Sequence, residues 1–111
     1  MESITELNEV IRLTDKTEII EGKPHFKRVI GNDNGEVLLV SFGKDVEVPR
    51  HHVHCDVLVQ VLEGEMIFTI YGESDKQFNM KAGDFIRMAP DTEHSLLGLT
   101  SVKITVTKIN A

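Results

Sequence analysis

From residue 18 onward the chain alternates short apolar runs with clusters of Gly, Asn, Asp and Pro. That is the spacing of strands and turns rather than of helices. Residues 102–109 show it most clearly, with Val102, Ile104 and Val106 alternating against Lys103, Thr105 and Thr107. Period 2 sends the two sets to opposite faces of a strand. Residues 36–42, rich in Val and Leu, predict a buried strand. Residues 57–62 predict another, stopped at Glu63-Gly64, with 65–71 as its hairpin partner. Further strands are predicted over 18–20, 26–30, 77–80 and 85–88. Turns are predicted at 31–35, 43–45, 72–76, 81–84 and 89–90, where residues that tolerate positive φ, or Pro, interrupt the apolar runs. The resulting count of about eight short strands argues an all-β sandwich or barrel. The one predicted helix lies over residues 4–11. Ser3 and Glu6 have capping-box spacing, and Ile4, Leu7, Val10 and Ile11 fall on one face at helical period. A short N-terminal helix lying against the barrel is therefore expected, within an arm over 1–15.

Composition narrows the class without changing it. At 111 residues, with 41% hydrophobic and 27% charged residues, the chain is expected to be one domain, 1–111, with a core large enough to fold without disulfide or metal. No apolar run approaches the roughly 20 residues of a membrane helix, and Met1-Glu2-Ser3-Ile4-Thr5-Glu6 lacks the features of a secretory signal. The net charge is −6 and no basic block occurs, so no nucleic-acid partner is expected. Cys55, the single cysteine, has no internal disulfide partner. The expectation is a cytoplasmic protein.

Chemistry is concentrated in Pro49-Arg50-His51-His52-Val53-His54, which holds three of the five histidines. Neutral imidazole is the commonest metal ligand. His52 and His54, two apart on an extended chain, point to the same side and can reach one ion. His94, after the Pro90 turn, could supply a third nitrogen. Such a set suits Zn, Fe, Ni, Mn or Cu in differing degrees.

Two stretches resemble the cupin motifs. The first is 43–64, with its histidines and the ending Val61-Leu62-Glu63-Gly64-Glu65. The second is Ala82-Gly83-Asp84-Phe85, then Met88-Ala89-Pro90, then His94. The resemblance implies a double-stranded β-helix, the jelly-roll barrel of the RmlC-like superfamily, with the conserved barrel over 36–109 and the chains commonly paired as homodimers. Outward apolar residues such as Leu58 and Leu62 could serve that pairing. It also implies a divalent metal site in the barrel, but the match is incomplete. Counting back from Gly64, the family's two histidine positions fall on His51 and Val53, and its glutamate on Val57. Val57, Val59 and Val61 would then line the lumen. A bulge near Cys55-Asp56 would instead turn His52 and His54 inward. Two ligand sets remain open: His51 with His94, or His52 and His54 with His94.

Other polar groups are weighed against ordinary structural roles. Cys55 and Asp56 could be ligands, Glu93 could orient His94, and Arg87 could face an anionic ligand. His25 and Gln60 read as surface or packing residues, and Met66, Phe68 and Ile70 as core or pocket wall. The functional expectation is a cupin barrel binding a divalent metal through His51, His52, His54 and His94. If an enzyme, the resemblance implies a metal-dependent dioxygenase or isomerase. The alternative is a non-enzymatic binder or sensor that takes a small molecule in an apolar lumen.

Overall fold

The computed structural model describes residues 3–110. Met1, Glu2 and Ala111, the ends of the expected domain, lie outside the described residues. Among those described there are nine strands: β1 (His25–Asn32), β2 (Gly35–Phe42), β3 (Glu47–His51), β4 (Cys55–Glu63), β5 (Glu65–Ile70), β6 (Lys76–Lys81), β7 (Phe85–Met88), β8 (His94–Gly98) and β9 (Val102–Asn110). They form two antiparallel sheets, β1-β2-β9-β4-β7 and β3-β8-β5-β6. No helix of the described residues is long and apolar enough to cross a membrane.

The core lies between the sheets and follows from the period-2 pattern. In β4, Cys55, Val57, Val59 and Val61 are buried while Gln60 between them is exposed. They meet Ile104 of β9, Val40 and Phe42 of β2, and Met66 and Phe68 of β5 in one cluster. Fully burying a side chain of this size stabilises by roughly 1.5–3 kcal/mol. The hairpin between β4 and β5 turns on Gly64 at φ +87. A Cβ there would collide with the Ser101 carbonyl oxygen, so this turn is restricted to glycine twice over, by backbone angle and by space.

β2 is buried on both faces. Leu38, Val40 and Phe42 face the core, while Ser41, on the opposite face, is covered by the N-terminal arm. Thr17 and Ser41 share a hydrogen bond of 2.9 Å, and the Ser41 hydroxyl donates to the Glu18 carbonyl. Lys103 and Lys27 tie the same arm down through the carbonyls of Thr14 and Lys16. The predicted strand at 18–20 is therefore an extended strap held by side chains, with no ladder of its own.

The helix expected over 4–11 does not form. Ser3 bridges to Arg28 of β1, its hydroxyl reaches the Val29 carbonyl, and the Ile4 amide donates to the Arg28 carbonyl. The would-be cap is thus committed to a sheet edge. An isolated helix of eight residues is too short to hold without tertiary packing. Leu7 and Val10, its expected buried face, are 89% and 103% exposed. The only helical turn among the described residues is a 3-10 turn at Leu13–Lys16.

Candidate functional site

β3 is the edge strand of its sheet, where Pro49 can sit without costing a ladder hydrogen bond. Val48 pairs with Leu96, and the next pair is His51 with His94. Three steps along β3 thus match two along β8, which is a one-residue bulge. Strict alternation would carry Arg50 to the side of Val48 and turn His51 away. The extra residue puts His51 on Val48's side, opposite His94. Their ring centroids are 4.3 Å apart. The His94 ring also lies parallel to Phe68 at 5.6 Å.

Each of these imidazoles is fixed by a backbone carbonyl. His51 Nδ1 lies 2.8 Å from the Pro49 oxygen and His94 Nδ1 lies 2.8 Å from the Thr92 oxygen. A carbonyl can only accept, so Nδ1 carries the proton in each neutral ring and Nε2 keeps its lone pair. His94 is only 4% exposed. Burial holds its pKa below the usual histidine value, and the electrostatic influence of neighbouring His51, His52 and Lys108 adds to that. The Thr92 carbonyl opposes the shift without cancelling it.

Next to the pair the wall is apolar. Val57, Val59 and Val61 all point into the core and Val53 packs against it, so the positions where the family has its second histidine and its glutamate hold valines. A cavity of about 60 Å³ is lined by His51, His94, Val59, Ile104 and Val106, with Phe26 and Lys108 also contributing to it.

The bulge considered near Cys55-Asp56 is absent: β4 pairs with β9 without interruption from Cys55 to Val61. His52 and His54 therefore stay outside and do not join His94 in one site. They meet Asp91 instead. The three offer donor atoms all within 4.8 Å of one another, on the surface. His54 Nδ1 contacts Asp91 Oδ1 directly. The loops that carry them are stapled by the Asp91 amide, which donates to the Val53 carbonyl at 2.8 Å. Sequence reasoning missed Asp91. Its signal was only a carboxylate following the Pro90 turn, and Asp91 adopts φ +65, a conformation Asp tolerates better than most residues.

The remaining candidates fall outside both places. Glu93 holds Arg50 through two hydrogen bonds, of 3.2 and 2.9 Å, rather than orienting His94. Arg87 faces out, 3.9 Å from Asp56. Cys55 is buried, Gln60 is exposed, and His25 Nδ1 lies 3.4 Å from the Glu18 carbonyl.

A divalent metal fits these two places unequally. The lumen offers two imidazole nitrogens and no carboxylate, with an ammonium group nearby, short of the three protein ligands usual for a transition metal. His52, His54 and Asp91 form a group that could hold one. Ligands at about 2.1 Å from one tetrahedral ion lie about 3.4 Å apart, so the three side chains would have to rearrange to hold it, the direct His54–Asp91 contact opening.

No protein-family model and no curated protein matches the chain. Solved structures do. A conserved protein of unknown function from Streptococcus pyogenes superimposes with TM-score 0.86 at 20% identity, over 100% of this chain and 96% of that one. A cupin superfamily protein from Desulfitobacterium hafniense gives 0.88 at 17% identity, over 98% and 97%. An RmlC-like cupin from Shewanella frigidimarina gives 0.75 at 23% identity, over 94% and 93%. Likeness at these identities shows the fold alone, and that fold is the small cupin barrel.

Proposed function

We propose that this barrel binds a small, partly apolar molecule in its lumen, with His51 and His94 as the polar end of the site. The observation that supports it most is the pairing of two fixed imidazoles, each with a free Nε2 lone pair, against a wall of valines. Pockets that bind small molecules combine an apolar lining with a few placed polar groups in this way. A water-sized group needs about 10–15 Å³ in such a cavity, so the space suits a molecule of only a few non-hydrogen atoms. Titrating ¹⁵N-labelled protein with a panel of small alcohols and amides tests this. Shifts should cluster at Val59, His94, Ile104 and Val106 and be lost in His94→Ala. Absence of binding, or shifts elsewhere, would overturn it.

A second reading concerns a divalent transition metal, and the cluster of His52, His54 and Asp91 favours it. The ion would sit outside the lumen. When bound, it would supply a Lewis-acid centre with open positions, and the three side chains would only hold it. Elemental analysis of untagged protein after dialysis against zinc or nickel tests this, with His54→Ala as the control. A stoichiometric ion in the wild type that is lost in the variant supports the reading, and an equal ion content in both overturns it.

A further inference from the structure

We infer that the lumen is selective for a small neutral primary amide: its NH₂ group donates to Nε2 of both His51 and His94, and its alkyl end lies against Val59, Leu96 and Ile104. This deepens the small-ligand reading above and rests on it.

The hydrogen-bonding groups of the pair carry the inference. Both Nδ1 protons are given to backbone carbonyls, so the two rings offer two acceptors and no donor. Among the described residues neither Nε2 has a hydrogen-bond partner. The His94 ring lies against Phe68, is tied at Nδ1 by the Thr92 carbonyl and is only 4% exposed. It lines the cavity together with His51. With ring centroids 4.3 Å apart, one small group can reach both rings. A buried acceptor stripped of water and left unmatched is destabilising, so the favoured ligand supplies a proton to each ring.

That requirement separates the chemical classes. An alcohol has one proton and leaves one ring unmatched. A carboxylate sets acceptors against acceptors, and Lys108, which also lines the cavity, stands paired with Glu36 at 3.7 Å. An alkylammonium has the protons but brings a charge into a cavity with no carboxylate among its lining residues. A primary amide carries two protons on one planar nitrogen, without charge. His51 is exposed and His94 buried, as are Val59, Leu96 and Ile104. The polar end therefore belongs at the mouth, where water satisfies the amide carbonyl, and the tail points inward. A cavity of about 60 Å³ takes roughly four to six water-sized groups, which suits isobutyramide.

The experiment is calorimetric titration at pH 7.5 with isobutyramide, isobutyrate, methyl isopropyl ketone and isobutanol. All four keep the branched tail and differ in their donors. The wild type should bind the amide at least about fivefold tighter than each of the others, as expected for one hydrogen bond or more. Nitrogen NMR of the imidazoles should show Nε2 of both rings shifting with the amide and of only one ring with isobutanol. His51→Phe, at an exposed position, should erase the preference over isobutanol and keep that over the ketone. Unchanged thermal unfolding confirms that this variant is folded, and if it unfolds the wild-type series and the nitrogen shifts decide alone. Equal binding of amide and ketone, a preference for isobutyrate, or the full amide preference persisting in folded His51→Phe overturns the inference and leaves the small-ligand reading standing. Binding of none of the four overturns both.

Discussion

His51 and His94 are cross-strand partners only because β3 carries one extra residue between Val48 and His51. The bulge does for one side chain what a register slip does for a whole strand: it changes the face. It is why a histidine three residues from the inward Val48 ends up beside an imidazole that is almost fully buried.

That pairing governs a pH dependence. His94 has its pKa held below the ordinary value of about 6.5, so in the window below 6.5 the unfolded chain takes up a proton that the folded chain refuses. Stability is therefore full above that pH and falls as pH drops through the window, by up to about 1.4 kcal/mol per unit. Denaturant unfolding at pH 7.5 and 5.5 should show a smaller loss for His94→Gln than for the wild type. By NMR, His94 should still titrate below 6.5 in His51→Ala, because burial is the leading cause and the electrostatic influence of His51 a lesser one.

Phe68, fully buried and parallel to the His94 ring, supports that burial. Phe68→Ala should cost about 3–5 kcal/mol, the range for a large aromatic truncated in a core. It should also let water reach His94 and move its pKa upward. Chemical denaturation and an NMR titration read the two effects separately.

The surface cluster makes a different prediction. Binding of zinc or nickel at His52, His54 and Asp91 needs unprotonated imidazoles and has to open the His54–Asp91 contact, so affinity should weaken as pH is lowered. Asp91→Asn should lower it at least about tenfold, and the double change of His51 and His94 to Ala should leave it intact. Equilibrium dialysis with elemental detection distinguishes these outcomes, and loss of the ion in the double variant would place it in the lumen instead.

Two glycines separate strain from collision. Gly64 and Gly83 both have positive φ, +87 and +95. A Cβ at Gly64 meets the Ser101 carbonyl, while at Gly83 it meets open space. Gly83→Ala should cost about 1–2 kcal/mol from the backbone alone. Gly64→Ala should cost more, about 2–4 kcal/mol, with a correspondingly larger drop in melting temperature.

Most of the architecture was legible in the chain. β2, β4, β5, β7 and β9 lie close to where the alternation and glycine turns predict them, and the count back from Gly64 placed Val57, Val59 and Val61 inward as observed. It worked because a tight hairpin sets the register of both its strands. β3 and β8 were missed: Pro49, Arg50 and three histidines hide the first, and the second, His94-Ser95-Leu96-Leu97-Gly98, has no alternation to read.

What the sequence determined by itself is local: which stretches extend, which face of each is apolar, where the chain must turn, and that histidines cluster before β4. These follow from period, side-chain shape and backbone freedom within a few residues. What only the tertiary structure decided is which groups meet. Ser3 abandoned its cap for the edge of β1, Asp91 crossed to His52 and His54, and Lys108 of β9 was paired with Glu36 of β2. The division of the histidines into a lumenal pair and a surface pair turned on a single unpaired residue in β3. Such contacts join residues far apart in the chain, and their partners are chosen by sheet pairing and loop apposition, which no local pattern encodes.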